Sequence, residues 1–359
     1  MPWDKRRTAV LLEEICALAP HELRLMEVCG THTMSIAEAG IKSMLPKEIR
    51  LLSGPGCPVC VTPPQVIDAV LELSMEKDVL LTSYGDMLRV PGSRPGDSLL
   101  RRKALGAKVE TVYSPVDAVE LALQNPDRQV VFLGVGFETT APGTAAAVLT
   151  AKEKGAKNFT LWSMLKLVEP ALRALIKTDG FHVDGFLCPG HVATIIGARG
   201  FAFLPEEYGL PAVVAGFEPE DILLAVYRLV RQLHDKSPKL ENEYTRAVSR
   251  EGNRLAQRIM ADCFAPRFDV WRGLGGIENS GLGLRDALKD FDAEKRFGVH
   301  CASAEPPTAC RCGEVITGRL APEGCPLFGT RCTPEDPVGP CMVSSEGACA
   351  AAWKYAGVL

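Results

Sequence analysis

The sequence predicts an α/β protein with two parallel-sheet α/β domains and a small C-terminal cysteine-rich domain. Two observations predict this fold class. Short β-branched runs that end in Gly or Cys alternate with helical patterns, which is typical of βαβ units and parallel sheets. Seven of the 13 cysteines lie in the last 59 residues, where Pro and Gly are frequent and periodic apolar residues are few. Something other than an apolar core therefore has to hold the C-terminal region together.

Each predicted strand is a short apolar run bounded by turn residues. In chain order the predicted strands are Leu23–Val28, Ile49–Ser53, Val79–Thr82, Val109–Val112, Val130–Val135, Phe159–Trp162, Val183–Leu187 and Ala212–Ala215. Helical patterns fill gaps between them at Pro64–Met75, Pro115–Gln124, Thr139–Lys154 and Pro219–His234, and one more long helix is expected at Glu241–Met260. With four strands on either side of Asn125–Arg128, we expect domains at residues 1–125, 126–236 and 237–359.

Composition excludes several classes of function. The 40 Lys and Arg against 44 Asp and Glu give a net charge of −4, without the basic runs that nucleic acid binding requires. No apolar stretch approaches the roughly 20 residues that span a bilayer. Charges interrupt the first residues where a signal peptide would be apolar, so we expect a cytoplasmic protein. In such a reducing compartment, clustered cysteines favour a metal or an iron–sulfur cluster over a disulfide framework.

The first chemical motif is Cys29-Gly30-Thr31-His32, directly after the first predicted strand. A thiol at a helix N-terminus has its pKa lowered by the helix dipole and by a nearby imidazolium. We therefore expect Cys29 to be a nucleophile or a soft metal ligand, with His32 beside it. A buried inert cysteine with a capping Thr is the alternative.

The second motif is a Cys-x-x-Cys pair, Cys57 and Cys60, at the turn between a strand and a helix. With Pro58 between them, the two thiols resemble the redox sites of thioredoxin-type proteins and favour a reversible disulfide. Half of a structural zinc site is the alternative, but the α/β region offers no second half with short Cys or His spacing. The pair is better explained as redox-active or iron-handling.

Two further motifs follow later strands. Glu138, in a Gly-Val-Gly-Phe-Glu-Thr-Thr sequence, could act as acid, base or hydrogen-bond acceptor, although a glycine-rich turn with a capping Thr explains the motif equally well. Its Gly-x-Gly lacks the third glycine of a dinucleotide site. His191 follows Cys188-Pro189-Gly190. Chemistry collects at the carboxyl ends of parallel strands, so all these candidate catalytic residues are expected at one face: Cys29, His32, Cys57, Cys60, Glu138 and His191.

These motifs, together with Cys310-Arg311-Cys312-Gly313, Cys325-Pro326-Leu327-Phe328-Gly329 and the cysteines after them, resemble the HypD family of hydrogenase maturation factors over essentially the whole chain. The resemblance implies an iron scaffold that works with a HypC-type chaperone and with HypE- and HypF-type cyanide-delivery proteins. Together they build the Fe(CN)2CO unit of [NiFe]-hydrogenases. By resemblance, Cys29 binds the iron, and Cys57 and Cys60 are redox-active.

The resemblance also implies a [4Fe-4S] cluster in the tail. We expect its ligands to be Cys310, Cys325, Cys332 and Cys349. Cys312 and Cys341 are left as substitutes or as a nearby redox pair, and Cys312 is the main rival to Cys310. Two other functions are weighed against the scaffold: a ferredoxin-linked thiol–disulfide reductase that uses the same cluster and cysteine pair, and an interaction protein whose tail is stabilised by zinc.

Overall fold

A computed structural model describes residues 5–19, 22–299 and 309–355, and it has the predicted α/β architecture. All eight predicted strands form, with ends that differ by a few residues. The strands are β1 Leu23–Glu27, β2 Ile49–Ser53, β3 Val79–Ser83, β4 Val109–Thr111, β5 Gln129–Gly136, β6 Phe159–Leu165, β7 Gly185–Pro189, β8 Ala212–Ala215, β9 Leu240–Asn242, β10 Phe264–Trp271 and β11 Gly275–Leu284.

The strands form two parallel sheets and one antiparallel hairpin. The first sheet has the order β2-β1-β7-β8-β9, the second has the order β4-β3-β5-β6, and β10 pairs with β11. The expected grouping of four strands on either side of residues 125–128 is therefore wrong. The chain leaves the first sheet after β2, builds the whole second sheet, and returns to pair β7 with β1.

Helices cover both sheets. They are α1 Lys5–Leu18, α2 Gly30–Glu38, α3 Ile41–Met44, α4 Pro58–Val61, α5 Pro64–Leu73, α6 Leu99–Ala104, α7 Pro115–Gln124, α8 Ala141–Lys154, α9 Val168–Ile176, α10 Gly190–Ile196, α11 Phe203–Tyr208, α12 Pro219–His234, α13 Arg254–Cys263, α14 Ala293–Phe297, α15 Cys312–Val315, α16 Pro340–Val343 and α17 Ala348–Lys354. None of the helices in the described ranges is long and apolar enough to cross a membrane.

The long helix expected at Glu241–Met260 is wrong. Residues 240–242 instead form β9, an edge strand that pairs with β8. Gly252 then adopts a left-handed conformation at φ 70°, and the side chain of Asn253 accepts a hydrogen bond from the Ala256 N–H at 3.0 Å. This cap starts α13 only at Arg254, because a left-handed residue interrupts any helix that runs through it.

The cysteine-rich tail packs against the two helices that follow the first cysteine motifs. Helix α17 contacts α2, and α16 contacts α4. Apolar tail side chains such as Val315, Met342 and Val343 share one buried cluster with residues of both sheets. The tail is therefore built into the core of the molecule. Cys301 lies outside the described residues.

Candidate functional site

Three of the four motifs lie side by side at the carboxyl edge of the first sheet. They follow β2, β1 and β7, which are neighbours in that sheet. The Gly30 N–H donates to the Gly56 carbonyl at 2.9 Å, which joins the Cys29 loop to the Cys57 loop. A Cβ at Gly56 would lie 2.2 Å from the Cys29 nitrogen, so only glycine permits this approach. The fold thus brings Cys29 and the Cys-x-x-Cys pair onto adjoining loops.

Cys29 lies at the N-terminus of α2 as predicted, but its pKa moves in the direction opposite to the prediction. Burial raises the pKa of the thiol to about 12, and the carboxylates of Glu346 and Glu27 act in the same direction. The Cys29 N–H donates to Glu27 Oε2 at 2.9 Å, and burial raises the pKa of Glu27 to about 7. Desolvation outweighs the helix dipole here. Without a metal, Cys29 is therefore a neutral thiol at neutral pH.

His32 is fully buried and uncharged. Burial lowers its pKa to about 4, so it is not the imidazolium that the sequence predicted. Its Nε2 donates to the Gly216 carbonyl at 2.8 Å, which leaves a lone pair on Nδ1. That Nδ1 is buried and has no hydrogen-bond partner in the part of the chain that the structure describes. His32 therefore offers a neutral acceptor or ligand atom.

His191 reaches the same neighbourhood through an aromatic ring. The ring of Phe217 lies 3.9 Å from that of His191 and 4.8 Å from that of His32, measured between centroids. Phe217 follows β8, the next strand of the first sheet. The two histidines thus flank one phenylalanine, with His191 exposed to solvent and His32 buried.

Cys57 and Cys60 form a disulfide, as their spacing predicts. The Cα atoms lie 5.2 Å apart, within the usual range for a disulfide. The Cys57 sulfur also accepts a hydrogen bond from the Cys60 N–H at 3.1 Å, at the start of α4. Both residues are buried. The pair is thus held at a helix N-terminus, where a thiolate would be favoured on reduction.

Glu138 belongs to the other sheet, and the strand before it, β5, contacts α4, the helix that contains Cys60. It follows β5 and accepts a hydrogen bond from the Val168 N–H at 3.0 Å, while its Oε2 is buried with no partner among the described residues. Burial raises the pKa of Glu138 to about 7. The neighbouring Phe137 ring stacks on Trp271 at 5.8 Å. Trp271 ends β10, so the hairpin provides a second link between Glu138 and the cysteine loops, beside the contact of β5 with α4.

Six tail cysteines surround one small pocket. They are Cys310, Cys312, Cys325, Cys332, Cys341 and Cys349, and apolar residues such as Leu327, Phe328 and Met342 complete the wall. The sulfurs of Cys312 and Cys341 lie 2.6 Å apart. The Cys332 sulfur accepts a hydrogen bond from the Val338 N–H at 3.3 Å. Among the residues that the structure describes, no carboxylate or imidazole lines this wall.

The pocket has the donor set of an iron–sulfur cluster. Cysteine thiolates in an apolar wall with backbone N–H groups aimed at sulfur are the usual surroundings of such clusters. Gly339 leaves room in the wall, since a Cβ there would lie 2.3 Å from the Cys310 sulfur. Across residues 5–19, 22–299 and 309–355, no three His, Cys, Asp or Glu side chains are arranged to hold a single metal ion. A four-iron cluster takes its thiolates one per iron, so its ligands do not converge on one ion.

Two functional candidates were missed at the sequence level. Glu27 could have been suspected because its carboxylate lies at the end of β1, two residues before Cys29. Glu346 lies between two tail cysteines and carried no signal of its own. Its Oε1 accepts a hydrogen bond from the Thr31 hydroxyl at 3.0 Å, and a Cβ at Gly30 would lie 2.4 Å from the Glu346 Cβ. The tail therefore touches the Cys29 loop directly.

The sequence of the chain is similar to those of known hydrogenase maturation factors over nearly its whole length. The HypD family model, described as "Hydrogenase formation hypA family", matches residues 6–356. The chain is 46% identical over 339 residues to hydrogenase maturation factor HypD2 of Bradyrhizobium diazoefficiens, covering 92% of this chain and 89% of the relative. It is 45% identical to the HypD proteins of Rhodobacter capsulatus (97% of this chain, 93% of the relative) and Escherichia coli K12 (94% and 90%). The chain belongs to the HypD family of hydrogenase maturation factors.

Proposed function

We propose that this maturation factor is the iron scaffold and redox centre on which the Fe(CN)2CO unit is assembled. It would work with a HypC-type chaperone and receive cyanide from HypE- and HypF-type proteins. One observation carries the proposal: the Cys29 loop packs against both the Cys57–Cys60 loop and the cysteine-rich tail. An anchoring thiol, a dithiol and a cluster-type pocket thus adjoin one another.

Cys29 is the proposed anchor of the iron, which is the cargo of the reaction. A thiolate suits low-spin Fe(II) with cyanide and CO better than a carboxylate does. Because burial raises the pKa of Cys29 to about 12, the thiol gives up its proton only when a cation replaces it. Glu27, whose pKa is about 7 and which bonds the Cys29 backbone, is placed to take up that proton. The neutral Nδ1 of His32 would orient a ligand or a partner at the same site.

The disulfide and the tail would supply reducing equivalents. Opening the Cys57–Cys60 disulfide takes two electrons and two protons, so the pair can store two electrons. A resident [4Fe-4S] cluster supplies electrons one at a time. We propose Cys310, Cys325, Cys332 and Cys349 as its ligands. The 2.6 Å contact between the sulfurs of Cys312 and Cys341 favours these two as an adjacent pair.

The deciding experiment is the Cys29→Ala variant, isolated anaerobically with a HypC-type partner. We expect it to keep the visible absorption of the cluster and to lose the infrared bands of iron-bound cyanide and CO. His32→Ala should weaken these bands without abolishing them. Undiminished bands in Cys29→Ala would defeat the scaffold proposal.

The same variant separates the scaffold from its main alternative. The contact between α16 of the tail and the cysteine-bearing α4 also suits a ferredoxin-linked thiol–disulfide reductase. A reductase has no need of Cys29, so Cys29→Ala would then reduce disulfide substrates at the wild-type rate.

A second measurement addresses the tail. Ser substitution of Cys325 or Cys332 should lower the iron and acid-labile sulfide of the anaerobic protein. Zinc without labile sulfide in the wild type would favour a structural tail instead.

A further inference from the structure

The side chain of Arg272 lies between the two groups of cysteines. It follows β10 and is only 5% exposed. The Arg272 N–H donates to the Val61 carbonyl at 2.9 Å, and Nε donates to the Thr62 carbonyl at 3.1 Å. Both acceptors lie at the end of α4, the short helix that contains Cys60. Arg272 therefore fastens the β10–β11 hairpin to the helix of the disulfide.

The residue after Arg272 fixes the other side of this contact. A Cβ at Gly273 would lie 2.5 Å from the Gly313 Cα, so the two backbones touch. Gly313 follows Cys312 at the start of α15. The chain at Arg272 and Gly273 therefore lies between the end of α4 and the start of α15.

The charge of Arg272 has no carboxylate partner in the residues that the structure describes. Its Nη2 is buried there without any hydrogen-bond partner, and no ion pair to Asp or Glu is formed. A buried, unpaired guanidinium is strongly destabilising unless an anion compensates it. The charge of Arg272 interacts electrostatically with the thiols of Cys310 and Cys312 in the tail pocket.

We propose that Arg272 is a positioning residue whose guanidinium is the countercharge of a thiolate-ligated cluster in the tail pocket. The same side chain holds the Cys57–Cys60 helix beside that pocket. This inference rests on the proposed cluster and deepens it. Arg272 would then contact both proposed redox groups, the Cys57–Cys60 pair and the cluster. The cluster would also supply the negative charge that the buried guanidinium lacks among the described residues.

The proposal predicts the direction in which the reduction potential of the cluster changes when the charge of Arg272 is removed. Reduction adds negative charge to the cluster, so a nearby cation favours the reduced form. Arg272→Gln should shift the one-electron equilibrium towards the oxidised cluster by at least about tenfold, which corresponds to about 59 mV. Arg272→Lys keeps the charge and should stay within that range of the wild type. Arg128→Gln is the matched control, because Arg128 also has a buried, unpartnered Nη1 but precedes β5, at the opposite end of the second sheet's strands.

The measurement is an anaerobic redox titration of the cluster absorption in the wild type and the three variants. An Arg272→Gln potential equal to that of the wild type would overturn the inference. Should Arg272→Gln not fold, the Arg272→Lys variant decides. A reduction potential within about 59 mV of the wild-type value supports the countercharge, and a larger drop in the potential overturns it. A wild-type protein without iron and labile sulfide would instead refute the cluster itself, so failure of the proposed function is recognised separately.

Thermal unfolding distinguishes a countercharge role of Arg272 from a purely structural role. If Arg272 balances the cluster, Arg272→Gln should lower Tm more in the cluster-containing protein than in the same protein stripped of iron. A purely structural Arg272 would lower Tm equally in both forms, and that result would overturn the inference.

Discussion

At the scale of single residues, burial decides the protonation of the candidate site. Cys29, His32 and Glu138 are all buried, and desolvation is the largest cause of each pKa shift. Cys29 and His32 are therefore neutral at pH 7, although a helix N-terminus would otherwise activate the cysteine, and Glu138 is about half protonated. The sequence could predict the residue types and their place after strands. It could not predict these shifts, because burial depends on loops that are distant in sequence.

Glu138 provides a test of this point through the pH dependence of stability. Its pKa rises from 4.5 to about 7 on folding, so the folded state holds a proton that the unfolded state has lost between these values. The free energy of unfolding should therefore fall as pH rises from 4.5 to about 7, by up to about 3 kcal/mol. Glu138→Gln cannot ionise and should lack this loss. Urea unfolding at about pH 5 and about pH 8 measures it.

The control for this prediction is Glu153→Gln, which changes an exposed carboxylate on α8. It should keep the pH dependence of the wild type. The same slope in Glu138→Gln and in the wild type would show that Glu138 does not carry the effect.

At the scale of elements, the local pattern predicted the strands but not their partners. Every predicted strand forms because a short apolar run between turn residues carries its own signal. Sheet order depends instead on which crossover packs best, and the pairing of β7 with β1 joins residues about 160 positions apart, such as Leu25 and Gly185. The β10–β11 hairpin was also missed. Its glycine-rich second strand, with Gly275 and Gly276, lacks the apolar alternation that signals a strand.

The contact between the loops after β1 and β2 can be tested with glycine substitutions. Gly56→Ala would place its Cβ 2.2 Å from the Cys29 nitrogen, so the loops must separate. We expect a loss of about 1–3 kcal/mol in the free energy of unfolding, the usual cost of overpacking. Gly143→Ala is the control, since nothing lies within 4 Å of its added Cβ. It lies in α8 and should stabilise by about 0.5–1 kcal/mol. Equal effects in urea unfolding would contradict the contact.

At the scale of the whole molecule, the tail is the part that joins the separate motifs. It reaches the Cys29 loop through Glu346, the second-sheet side through the hydrogen bond from the Ser345 N–H to Asp86, and α4 through α16. The tail sequence between its cysteines has no periodic apolar pattern from which such docking could be predicted. If the tail cysteines hold the proposed cluster, loss of one of its ligands should therefore disturb these contacts.

This coupling predicts that a change in the tail will expose Cys29. Glu346 packs on Gly30, and α17, which contains Cys349, contacts α2. If Cys349 holds the cluster, Cys349→Ser should loosen both contacts, and the Cys29 pKa should fall from about 12 towards its usual value as water enters. Alkylation of Cys29 by iodoacetamide in iron-free buffer at about pH 8, followed by peptide mass spectrometry, should then be faster than in the wild type, because the thiolate is the reacting form. Cys263→Ser removes a buried cysteine that lies against α8, away from the tail, and should leave the rate unchanged. A Cys349→Ser protein that has lost its cluster and yet alkylates Cys29 at the wild-type rate would show that the tail and the Cys29 loop are not coupled.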